Sequence, residues 1–128
     1  MVIDVRPGLG GAVLPGGTIP DKAPEGGSPT WYSYDSPILF DESKWSGDAA
    51  FYHQAYMNAV VGILYSRIYD VTASAAVTDS LIQISGATRT LVRSSEITLT
   101  DGHVYKVQFG VAAGDSGQAS KAEVWYTN

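Results

Sequence analysis

From Ala49 the chain alternates. The run AFYHQAYMN places Phe51, His53, Ala55 and Met57 on one face and Tyr52, Gln54, Tyr56 and Asn58 on the other, the period of two that a strand requires. ILYSRIYDV follows, setting Ile63, Tyr65, Arg67, Tyr69 and Val71 against Leu64, Ser66, Ile68 and Asp70, with apolar or aromatic groups on both faces. SLIQIS around Ile82, TLVRSS around Leu91, EITL from Glu96, HVYKVQFGV from His103 and AEVWY from Ala122 continue the pattern. Turn-forming residues separate these runs at Ala73 to Ala76, Gly86, Asp101-Gly102 and Ala113 to Gly117. Asp-Gly between alternating runs predicts a tight hairpin, because both central residues of that turn favour positive φ. Seven or eight strands at roughly ten-residue spacing, with no helical period, predict an antiparallel β-sandwich.

The alternation is absent from the first thirty residues, which hold five of the six prolines and seven of the fourteen glycines. Eleven of the fourteen aromatics lie beyond Tyr34. Proline removes backbone donors and glycine raises the entropy lost on ordering, so this segment is expected to be extended and irregular. The chain therefore divides into an arm, residues 1–35, and a sandwich body, residues 36–128. Fully extended, thirty residues reach on the order of 100 Å, several times the radius of such a body. VIDV and AVLP could pair with a neighbour's strand edge or groove while the glycines and prolines bend the backbone between contacts. Folding back onto the chain's own sandwich is the alternative.

The order of turns narrows the fold. SSEITLTDGHVYKVQFG, a short strand entering a tight turn and returning as a long strand with Tyr105, Val107 and Phe109, resembles the penultimate hairpin of jelly-roll domains, including galactose-binding-like carbohydrate-binding modules. ILYSRIYDVTASAAVTDSLIQIS looks like the central strands of the small jelly rolls that serve as cement or decoration proteins on tailed-phage capsids. The resemblance covers Phe51 to Tyr126 as a pattern of strands and turns. It implies an all-β, jelly-roll-like sandwich, and it assigns no role to any residue.

Composition removes several function classes. A chain of 128 residues suits one domain that buries about two-thirds of its unfolded surface. With no cysteine there is no disulfide framework and no thiolate metal site, which permits cytosolic synthesis. MVIDVRPGLGG has neither the basic start nor the apolar run of a secretory signal, and no membrane span is expected. A net charge of −5 with eight scattered basic residues argues against a nucleic-acid surface. VIDVRPGLGG superficially suggests a dinucleotide fingerprint, but Pro15, Gly16 and Gly17 break the helix that would face the pyrophosphate.

Groups able to exchange protons are sparse. His53 and His103 both fall in or beside strands, and no nucleophile-elbow sequence accompanies them. Asp41, Glu42, Asp48 and Asp70 are expected to form turns, protect strand edges and meet solvent. No histidine pair has ligand spacing, and Asp115 in AAGDSGQ is a lone loop carboxylate, so no metal or cofactor is expected.

Aromatics are what remains. TWYSYDSPILFDESKW concentrates Trp31, Tyr32, Tyr34, Phe40 and Trp45 at the junction of arm and body, and Trp125 alternates out of phase with Val124 and Tyr126. Such rings anchor a sandwich edge or bury against another subunit, where tyrosine and tryptophan are enriched. The expected partner-binding residues are Val2, Ile3, Val5, Leu9, Val13, Leu14 and Ile19 in the arm, with Trp31, Tyr32, Tyr34, Trp45 and Trp125. Together these observations point to a non-enzymatic structural protein of a multi-subunit assembly. Its concrete form would be a phage capsid cement or decoration protein, made in the host cytoplasm and placed on the virion surface. Its partners would be the major capsid protein or other assembly subunits, with contacts between its own copies. A carbohydrate-binding module or virion adhesin domain recognising a surface glycan is the alternative.

Overall fold

A computed structural model of the chain describes residues 2–4, 18–19, 29–33, 37–112 and 114–127. The strands are β1 (Val2–Asp4), β2 (Thr18–Ile19), β3 (Thr30–Ser33), β4 (Ile38–Leu39), β5 (Ala50–Val61), β6 (Leu64–Asp70), β7 (Ala75–Ala76), β8 (Ile82–Ile84), β9 (Thr90–Ile97), β10 (Val104–Val111) and β11 (Ser116–Thr127). One short 3-10 turn, Glu42–Lys44, precedes β5 and is capped by the Asp41 carboxylate, which accepts from Ser43 N–H at 3.0 Å.

The strands form two antiparallel sheets. One has the order β1-β11-β5-β9, with β2 also on β11; the other runs β3-β10-β6-β7, with β4 on β10 and β8 on β6. Successive segments of chain alternate between the sheets, so the first receives β1 and β2, β5, β9 and β11 while the second receives β3 and β4, β6 to β8, and β10. That alternation and those strand orders are the topology of a jelly roll. The expected all-β sandwich is therefore what the chain forms.

Period two sorts the side chains. Phe51, His53, Ala55 and Met57 of β5 are buried, as are Leu64, Ser66 and Ile68 of β6 and Tyr105, Val107, Phe109 and Val111 of β10. These faces meet as the core, closed by Ile82, Ile97, Val124 and Tyr126. Trp45 caps it at one end, its ring 4.4 Å from Tyr126 and 5.4 Å from Phe51, both edge-on.

Three local features depart from simple alternation. In β11, Ala119 pairs with Met57 and Lys121 with Tyr56, so one extra residue interrupts the ladder. The bulge resets the phase and lets Ala119 and Ala122, three apart, both face the core. The runs TLVRSS and EITL, expected as two strands, are the single strand β9, with an irregularity opposite His53 where the Ser94 hydroxyl accepts from His53 N–H at 2.9 Å.

The Asp101-Gly102 segment is a tight turn, with Gly102 at φ +81°, but not a hairpin. The strands on either side of it belong to opposite sheets. The returning chain is captured by Phe40, whose N–H donates to His103 C=O at 2.9 Å and whose C=O accepts from Gly102 N–H at 2.8 Å. β4 thus pairs with the start of β10 and holds the chain after the turn in the second sheet.

Candidate interaction surfaces

The arm meets the body along β11. Val2, Ile3 and Asp4 pair with Thr127, Tyr126 and Trp125, while Thr18 and Ile19 pair with Gln118 and Gly117. Five arm residues thus line one side of a strand whose other side pairs with β5 over nearly its whole length. Val2, Ile3 and Ile19 therefore lie on the β11 edge by backbone position. Val5, Leu9, Val13, Leu14 and Tyr34 lie outside the described residues.

The tryptophans and Tyr32 are distributed over three places. Tyr32 packs against the core and Trp45 belongs to the end cluster. Trp31 lies on the outer face of the second sheet and Trp125 on the outer face of the first, so no shared platform joins them. Trp125 is out of phase with buried Val124 and Tyr126, as its spacing predicted.

Each outer tryptophan belongs to a row of polar groups that crosses three strands. On the first sheet Arg93 lies over the Trp125 ring at 4.9 Å and near Tyr52 at 5.9 Å. Its Nε donates to Gln54 Oε1 at 3.0 Å, and Gln54 Nε2 donates to Glu123 Oε1 at 2.6 Å. On the second sheet Arg67 lies over Trp31 at 3.9 Å and near Tyr69 at 5.7 Å. Its Nε donates to Gln108 Oε1 at 2.8 Å, and Gln108 Nε2 donates to Ser33 Oγ at 3.2 Å. The two rows match group for group except at their ends, where one has a carboxylate and the other a hydroxyl. Partial burial pulls the Arg67 pKa down from its usual value.

Trp31 lies on the sheet only because Gly110 is beneath it. A Cβ at that position would come within 2.8 Å of the indole. Neither row was visible beforehand, because each joins residues from three strands whose register only the fold defines. The isolated signals were an arginine and a glutamine placed on the outward phase of strands otherwise rich in aromatics.

The two histidines occupy different environments. His53 is 0 % exposed and lies between the sheets. Its Nδ1 faces Glu123 C=O at 3.1 Å and its Nε2 faces Ser66 Oγ of the opposite sheet at 2.8 Å. A carbonyl only accepts, so Nδ1 carries the proton, while His53 Nε2 and Gln108 C=O, the latter 3.0 Å from Ser66 Oγ, share the one proton of the Ser66 hydroxyl. Burial lowers the imidazole pKa to about 4, the bond to Glu123 opposing that shift. A serine and a histidine at this distance are a nucleophile–base arrangement in form, but both side chains are sealed in the core.

His103 is 28 % exposed and its Nδ1 is 2.7 Å from Asp70 Oδ2. Burial pushes the Asp70 carboxyl up, but the bonds from His103 and from Ala73 N–H outweigh it and hold the carboxyl below its usual range. Asp70 and Tyr105 line a cleft of about 370 Å³ with Asp79, Glu96 and Thr100. A second cleft of about 250 Å³ next to it is lined by Glu42, Trp45, Phe51 and Glu96. No group of three or more metal-ligating side chains occurs among the described residues. No helix among them is long and apolar enough to cross a membrane.

No protein-family model, curated protein or solved structure matches the chain.

Proposed function

We propose that the chain is a non-enzymatic structural protein of a multi-subunit assembly, in its most concrete form a cement or decoration protein of a tailed-phage capsid. The observation that carries this reading is the way the β11 edge is filled. Two short arm segments, β1 and β2, cover it through five paired residues, and a glycine- and proline-rich stretch joins them to each other and to the body. Pairings this short open easily, and an opened strand edge is a template for a strand from another subunit. The arm released at the same time has strand-forming segments of its own to offer a neighbour.

The mechanism is bivalent. The body docks through its aromatic and cationic outer surface, and the tethered arm then binds at high effective concentration, multiplying affinity without new chemistry. Burial of the His53–Ser66 pair supports a packing role for the one histidine that faces a serine hydroxyl among the described residues.

Deleting Met1 to Pro29 tests this reading on purified capsid shells. The shortened body is expected to remain folded by circular dichroism while its occupancy on the shells falls at least about tenfold, the loss expected when the second of two linked contacts is removed. Full occupancy by the shortened chain would refute the role given to the arm.

A further inference from the structure

The two outer rows differ where it matters for binding. On the first sheet the chain from Arg93 through Gln54 ends on Glu123, so the cation is matched by a carboxylate of the same molecule. On the second sheet the equivalent chain from Arg67 through Gln108 ends on Ser33. Lys106 adds a second cation there, with Nζ 5.5 Å from the Tyr69 ring. The one acidic residue in the described strands of this sheet, Asp70, points inward and is bound to His103. Among the described residues no carboxylate pairs with Arg67 or Lys106.

Arg67 is also fixed in place. Its Nε is held by Gln108 and its guanidinium carbon lies 3.9 Å over the Trp31 ring, which leaves the terminal nitrogens, without a carboxylate partner among the described residues, as a prepositioned fork. A planar fork of this kind matches a carboxylate in bidentate geometry. The indole is itself engaged by Arg67 and Gly110, so the face offers a partner the fork more than an open ring for a sugar.

The acid that complements this face is abundant elsewhere on the same chain. Overall the charge is −5, and Glu42, Asp79, Glu96 and Asp101 are exposed around the two adjoining clefts and the β9–β10 turn. We infer that the outer face of the second sheet is a self-docking surface, on which Arg67 and Lys106 receive the carboxylates that surround the clefts of a second copy of this chain. The contact joins unlike patches, so where the two patches of one copy meet different neighbours it builds rings or open arrays of copies. That geometry suits a protein laid across a lattice, and in this respect the inference rests on the assembly reading and deepens it.

Sedimentation velocity of the full chain over a concentration series, at low and at high salt, tests it. Association that grows with concentration, weakens in high salt and falls about tenfold or more in Arg67→Glu is expected, since a charge-assisted bidentate contact is lost. Arg67→Lys, which keeps the charge and loses the fork, and Lys106→Glu should each weaken association as well. These two variants carry the test if Arg67→Glu fails to fold. The double reversal Arg67→Glu with Glu96→Lys in one chain should restore association.

A full chain that stays monomeric throughout the low-salt series overturns the inference, as does association indifferent to Arg67 and Lys106. Arg67-dependent binding of a uronic-acid oligosaccharide by a monomeric chain would overturn it in favour of a carbohydrate ligand. The contact does not involve the arm, so the chain lacking Met1 to Pro29 should self-associate normally. Failure here is thereby separated from failure of the arm-binding reading.

Discussion

His53 shows how one side chain can tie two sheets together and make the tie sensitive to acid. Its ring spans the gap directly from Glu123 C=O on one sheet to Ser66 on the other. The groups facing it from the packed strands are that carbonyl, the Ser66 hydroxyl and the core side chains of β6 and β10; the neighbouring carboxylate of Glu123 lies on the outer side of its strand. The ordinary imidazole pKa of 6.5 is lowered to about 4 by burial, so the unfolded chain takes up the proton first. Stability is therefore complete above about pH 6.5 and declines as pH falls toward 4, by on the order of 3 kcal/mol in total. Urea midpoints measured between pH 7 and pH 4.5 should show this loss in the natural chain and a much smaller one in His53→Gln. Equal slopes for the two chains would contradict the assignment. Asp70, with its carboxyl held low, keeps its stabilising contribution throughout that window and loses it only as pH drops below the usual carboxylate range.

Among the elements, β11 has two unequal sides. Its pairing with β5 is long and interrupted only by bulges, and both strands carry buried residues along their length. Pairing on the other side is limited to β1 and β2. Hydrogen exchange is expected to separate them: β11 amides facing β5 should be protected near the global limit, and those facing β1 and β2 should exchange through local opening. Equal protection on both sides would mean that the arm is a permanent part of the sandwich and does not trade its place with a neighbour's strand.

The alternation of β5, β6, β10 and β11 was legible in the sequence because a half-buried strand imposes period two on its own residues. Which sheet a strand joins was not. The Asp101-Gly102 turn has the composition of a hairpin, yet the chain leaving it is bonded to Phe40, more than sixty residues upstream. The bulge in β11 and the irregularity beside Ser94 were hidden for the same reason, since each is a relation between two strands.

At the scale of the molecule, a small jelly roll carries an edge on β11 covered by β1 and β2, a cationic aromatic face on the second sheet and an acidic end. The matched rows on the two sheets were illegible in the sequence, because Arg67, Gln108 and Ser33 become neighbours only through the register of three strands. The tryptophans were visible as candidates, but their division between two outer faces and one end was not. A fold of this kind hosts many activities, so the functional claim rests on its edges and faces.

That claim is tested most directly by the thermal rupture temperature of capsid shells stripped of the protein and then restored with it. Restored shells are expected to rupture at a higher temperature than stripped ones, with the gain absent when the chain lacks Met1 to Pro29. Identical rupture temperatures at full occupancy of the natural chain would contradict a cementing role.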